Sequence, residues 1–336
     1  MRKIVALFLF VIGLAGVATP CVGAEQQNDG NVAEDSILNV IGWFYNHDAL
    51  EYWIEQSDWK VTPNDTVQTS GISTKVRVEV TDSTASGFKM KFSFLEMKAD
   101  TLESGPKGDF QKILVDEMAK AMVGTTVNFE TNEYGEITKI NNSGEIKKKA
   151  KSMFKNSMKN LGDLPFMKEA KKNGFDINDI IKGIDTDVLV EGFLEDLNLL
   201  FLYHGTVHPL GEFSEHEDAT EDQFENESAK LVRKDENGRY HIETEVVSII
   251  PKEDVKSVMY ALADGLYADD SVKNEFKDNA DITIFDDGMI DSYLGIDYMP
   301  EGWPYRVLKQ ESTMVGERGK LKQKNIFLSS YSAFEQ

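Results

Sequence analysis

Lys75-Val-Arg-Val-Glu-Val-Thr81, Asp82-Ser-Thr-Ala-Ser-Gly87 and Phe88-Lys-Met-Lys-Phe-Ser-Phe94 follow one another without interruption. The first and third segments alternate polar and apolar residues, the signature of strands with one buried face. The middle one is turn chemistry, so residues 75–94 read as a hairpin. The same order returns later. Ala229 to Arg233 leads to Asp235-Glu-Asn-Gly238 and then Tyr240-His-Ile-Glu-Thr-Glu-Val-Val, and Asn-Gly between strand patterns is a strong hairpin cue.

A helix and a second hairpin are expected after each of these. Phe110, Ile113, Leu114, Met118, Ala121 and Met122 recur at helical spacing behind Asp109 as N-cap, with Gly124 where a C-cap would stand. Strand patterns at 127–130 and 136–140 flank Tyr134-Gly135. In the second copy Pro251 suits a first helical turn, and Val255, Val258, Met259, Leu262 and Leu266 form a stripe. The segments 281–285 and 289–293 then flank Asp286-Asp-Gly288, and the chain closes with strand patterns at 305–315 and 320–332. These patterns predict an α+β fold: antiparallel β-sheets with packed helices, in two pseudo-repeated halves joined by a helical insert. The expected boundaries are a signal peptide at 1–24, a flexible lead at 25–35, a β-rich first half at 36–142, the insert at 143–202 and a β-rich second half at 203–336.

Within the insert, Ile146, Ala150, Met153, Phe154 and Leu161 share one helical face. Lys147, Lys148, Lys149 and Lys151 head a lysine run that extends to Lys172 and is answered only by Glu145, Asp163 and Glu169. The rest of the chain is strongly acidic, with a formal net charge of −22. That balance disfavours nucleic acid and anionic membranes as general partners. The lysine face reads either as a docking surface for an acidic partner or anionic lipid, or as a solvated helix face.

Arg2 and Lys3 precede the apolar run Ile4 to Ala18, which ends at Val22-Gly23-Ala24. This is the layout of a secretory signal peptide, and the run is shorter than the roughly 20 residues that cross hydrocarbon. The expected location is therefore periplasmic or extracellular, with no transmembrane span in the mature chain. Cys21 is the single cysteine. Cleavage after Ala24 would leave no disulfide, and Pro20 disfavours lipid anchoring at Cys21.

One metal candidate stands out. His204, His208, Glu212 and His216 are spaced by four and supply three imidazoles and a carboxylate, a credible zinc set. Gly205, Pro209 and Gly211 interrupt the helix that would align them, and the bland alternative is surface or strand histidines. The aspartates at 286–291 do not fit a calcium-loop spacing. No catalytic residues and no cofactor are assigned.

The segments Val76-Arg-Val-Glu-Val-Thr-Asp82 with Gly87-Phe88, Val127-Asn-Phe-Glu with Gly135-Glu-Ile, Asp235-Glu-Asn-Gly238 and Gly302-Trp-Pro together resemble uncharacterised exported β-rich proteins of Bacteroidetes-type envelopes. The resemblance implies an envelope setting and no residue roles. Taken with the residues themselves, it favours a non-catalytic protein that binds a ligand or partner, a lipid or other hydrophobic molecule being one version. The alternative is a periplasmic or secreted hydrolase, possible with a metal at the histidine set.

Overall fold

A computed structural model describes residues 36–162, 186–220, 224–266 and 270–332. The expected signal peptide, Cys21 and the flexible lead lie outside the described residues.

The chain is mostly β. Strands β2 (Ala49–Thr62), β3 (Asp65–Thr84), β4 (Gly87–Leu102), β5 (Thr126–Thr131) and β6 (Ile137–Ile140) come from the first part. Strands β8 (Gly211–Glu217), β9 (Glu225–Lys234), β10 (Tyr240–Ile250), β11 (Gly288–Tyr298), β12 (Pro304–Val315) and β13 (Arg318–Ser332) come from the second. All eleven lie in one antiparallel sheet, in the order β6-β5-β4-β3-β2-β13-β12-β11-β10-β9-β8. A small separate ladder joins β1 (Ile37–Asn39) to β7 (Val207–Pro209). Five helices are described: α1 (Pro106–Met122), α2 (Ser143–Gly162), α3 (Thr186–Phe201), α4 (Lys252–Leu266) and α5 (Asp270–Thr283).

This corrects the expected α+β fold of paired sheets in two repeated halves. The last strand, β13, hydrogen-bonds to β2 from Gly319↔Val61 to Ser332↔Ala49, so both parts share one sheet. Two sheets would leave four open edges, each a row of unpaired backbone groups, and the merged sheet leaves two. The expected hairpin at 281–293 does not form either. Residues 281–283 end α5, and β11 pairs with β10 and β12.

The two opening hairpins form where alternation placed them, with Val76↔Phe94, Val78↔Phe92 and Val80↔Met90 opposed across the first. In the second, Asp235 Oδ1 accepts from the N–H groups of Asn237 and Arg239, and Gly238 takes φ +80°. Helix α1 starts at Pro106 with Gly105 as cap, so Asp109 lies in its first turn instead of capping it. Helix α2 buries Ile146, Ala150 and Phe154 and packs between α1 and α3.

The buried apolar residues of the central strands share one face of the sheet, called the inner face below. Leu50, Tyr52 and Ile54 of β2, Val76, Val78 and Val80 of β3, and Phe92 and Phe94 of β4 are all buried there. One row crosses six strands: Val232, Ile242, Ile296, Val307, Ile326 and Ile54 are successive cross-strand neighbours. Each is almost completely buried. At one end of the sheet this row is sealed by aromatics, where Tyr240 stacks on Tyr298 and Trp303 lies against Phe44.

Candidate functional site on the inner face

Moving away from the aromatic end, the inner face changes character within one row. Directly beyond the aliphatic row stand Lys230, Thr244, Leu294, Lys309, Lys324 and Gln56, again neighbours across six strands. The next row is Ser228, Val246, Ser292, Glu311, Lys322 and Asp58. Beyond it, Ser248, Ile290 and Thr313 follow in register. On β10 and β11 this surface is half-exposed. Val246, Ile290 and Leu294 alternate with Thr244, Ser248 and Ser292, so the surface combines apolar patches with small hydroxyls. The β-bulges in the β2–β3, β3–β4 and β11–β12 ladders add local twist and bend to such a sheet.

Lys309 and Lys324 stand directly opposite each other, a like-charge pairing that is unfavourable by itself. Helix α3 resolves it. Glu195 Oε1 accepts from Lys309 Nζ at 2.9 Å and its Oε2 from Lys324 Nζ at 2.7 Å. Lys324 also donates to Asp196 Oδ1 at 2.7 Å, and Lys309 meets Glu311 at 3.0 Å. Burial alone would raise the Glu195 carboxyl, but the two ammonium groups outweigh it and hold it down at about 2. For Lys324, burial opposes the charge and Asp196 and Glu195 more than compensate, so its pKa is raised. The cluster ties α3 to the sheet.

The four proposed metal ligands are not brought together. His204 is buried in the aromatic end, its ring hydrogen-bonded through Nε2 to the Gly302 carbonyl at 3.0 Å. Close packing fixes it there, since a Cβ on Gly135 would lie 2.8 Å from the His204 ring. His208 is on β7, with Nε2 2.7 Å from Thr206 Oγ1 and Nδ1 2.8 Å from Lys230 Nζ. Glu212 and His216 are exposed on edge strand β8, facing Arg233 and Asp218 respectively. Among the described residues no group of three or more His, Cys, Asp or Glu is arranged to hold a metal ion. Burial first, and for His208 also Lys230, lowers both His204 and His208 to about 4.

No family model matches the sequence, and no curated protein matches it. Among solved structures, a lipovitellin chain described for its lipid–protein interactions is similar over 87% of this chain, at 10% identity and a TM-score of 0.39. This chain spans 26% of the lipovitellin chain. An outer membrane channel from Pseudomonas putida is similar over 89% of this chain and 100% of its own, at 7% identity and a TM-score of 0.14. Neither likeness is close enough to carry a ligand across. No described helix is long and apolar enough to cross a membrane.

Of the docking candidates, Lys147, Lys148 and Lys151 are exposed on α2. Lys149 turns inward, donating to Thr125 Oγ1 at 2.9 Å. Sequence reasoning missed the Lys–Glu–Asp cluster and the Lys230–His208 pair. It also missed His241, which lies on the opposite face of the sheet between Asp297 (2.7 Å) and Glu243 (2.9 Å). Tyr293 donates to the same Glu243 at 3.1 Å. Asp297 first, then Glu243, raise the His241 pKa against burial. A cross-strand signal existed for His241, since it stands directly opposite Asp297, but that register is known only from the fold.

Proposed function

We propose that this chain is an exported, non-catalytic binding protein of the cell envelope, and that its ligand is an amphiphile held on the inner face of β10–β12. The export half of the reading rests on the N-terminal sequence. The binding half rests on one observation: the half-exposed run Leu294, Val246 and Ile290, interleaved with Thr244, Ser248 and Ser292. Apolar surface with a few convergent polar groups is the chemistry of a small-molecule site. A merely structural inner face would continue the buried aliphatic row, as Ile242 and Ile296 do. Beside this surface the α3 ion cluster fixes the helix layer to the sheet, so the surface is pre-organised. Pre-organisation lowers the ordering cost of binding.

A fluorescent apolar probe tests the reading. The methyl ester of cis-parinaric acid should bind saturably. Ser292→Trp, which adds a large ring to the centre of the surface, should weaken it by about tenfold or more with the fold intact. Absence of saturable binding to the wild-type chain would end the proposal.

A further inference from the structure

Lys230 differs from the other inner-face lysines of its row. Lys309 and Lys324 each contact two carboxylates. The hydrogen-bond partner of Lys230 is instead an imidazole nitrogen, His208 Nδ1 at 2.8 Å. The proton positions along this chain are determined by its chemistry. The Thr206 hydroxyl donates to the Tyr203 carbonyl, so its oxygen accepts from His208 Nε2–H at 2.7 Å. That tautomer leaves Nδ1 as the acceptor for the Lys230 ammonium, and the imidazole is neutral. The buried position of His208, 6% exposed, keeps it so.

Lys230 is thus a half-buried cation whose bonded partner brings no negative charge, and among the described residues two of its N–H groups remain to be offered. Glu215, exposed on β8, acts on it electrostatically but forms no ion pair with Lys230 among the described residues. Half-burying an ammonium this way is costly unless an anion completes it. The position is also informative. Lys230 flanks the half-exposed surface, opposite Thr244 on β10 and Phe213 on β8, with Leu294 next across the sheet.

We infer that Lys230, oriented by His208, anchors the anionic head group of a single-chain amphiphile whose tail lies over Thr244, Leu294, Val246 and Ile290. The head group is a carboxylate or a phosphate monoester, since both accept charge-assisted hydrogen bonds from an ammonium. This inference rests on the amphiphile reading above and adds the charge and position of the head.

The test compares cis-parinaric acid with its neutral methyl ester. The wild-type chain should bind the acid at least about tenfold more tightly, the worth of one charge-assisted hydrogen bond. Lys230→Met should remove that preference and leave ester binding unchanged, which also reports that the variant is folded. Dodecanoate and dodecyl phosphate, used as competitors, identify the preferred head group. A second measurement needs no variant: bound acid should protect Lys230 of the wild-type chain from reductive methylation, and bound ester should not. Equal affinity for acid and ester, or a preference that survives Lys230→Met, overturns the anchor while leaving the amphiphile reading intact. Failure of both probes to bind overturns the two together.

Discussion

Replacing Glu195 by glutamine removes the charge that separates Lys309 from Lys324. Holding this carboxyl at about 2 instead of the usual 4.5 corresponds to ~3 kcal/mol of stability at neutral pH. Two features reduce that figure. The Glu195 side chain is 26% exposed, and Asp196 and Glu311 stay to hold one lysine each. A loss of about 2 kcal/mol is expected, below the roughly 3–5 kcal/mol that breaking a fully buried pair costs. The pH dependence carries a sign. A depressed carboxyl contributes stability above its unfolded value of about 4.5 and loses it as pH falls through about 2. Wild-type and Glu195→Gln chains should therefore differ at neutral pH and converge near pH 2. Lys324 acts at the other limb: its raised pKa contributes stability below about 10.5 that is lost as pH rises above that. Urea unfolding followed by tryptophan fluorescence measures both. A difference below about 0.5 kcal/mol at neutral pH, or one that is the same at pH 2, would refute the ionic tie between α3 and the sheet.

His204 and His208 are both lowered to about 4, so the fold favours their neutral forms. Stability should fall as pH drops from about 6.5 toward 4, and a melting series should show a shallower fall for His204→Phe. His241 has the opposite sign: its raised pKa contributes stability below about 6.5 that is lost as pH rises through the folded value. His241→Gln should accordingly cost more at pH 6 than at pH 9 in the same assay. Gly302 has φ +86°, and a Cβ there would lie 2.3 Å from the Ile41 carbonyl oxygen. Gly302→Ala should cost about 2 kcal/mol or more, readable as a lowered urea midpoint. Changing Lys147, Lys148, Lys149 and Lys151 to glutamine should cost no more than about 1 kcal/mol. If α2 docks an acidic partner, that variant should lose pull-down of it from the cells that make the protein, most strongly at low salt.

The hairpins at 75–94 and 229–247 were legible because alternation and turn residues are local signals. The apolar face of α2 was legible for the same reason. What unites the chain was not. The β2–β13 ladder pairs residues such as Ile54 and Ile326, and no local pattern encodes so distant a register. Ile282 and Thr283 are β-branched residue types that suit a strand, and the packing of α5 against α4 overrides that propensity. The even spacing of His204, His208, Glu212 and His216 suggested one site, but a turn, β7 and β8 divide them. The inner-face lysines did leave a trace. Lys309 and Lys324 occupy alternation positions that end in Val307 and Ile326, where an apolar residue is expected. A cation in such a position calls for a partner, and the partner, Glu195, sits on a helix more than a hundred residues earlier in the sequence.

Native mass spectrometry of the protein, released gently from the cells that make it, addresses the amphiphile reading most directly. The expected spectrum shows the folded chain carrying one adduct of lipid-like mass, released on collisional activation and absent from Ser292→Trp. A bare chain, from protein that also fails to take up added cis-parinaric acid or its methyl ester, would contradict the proposed binding surface.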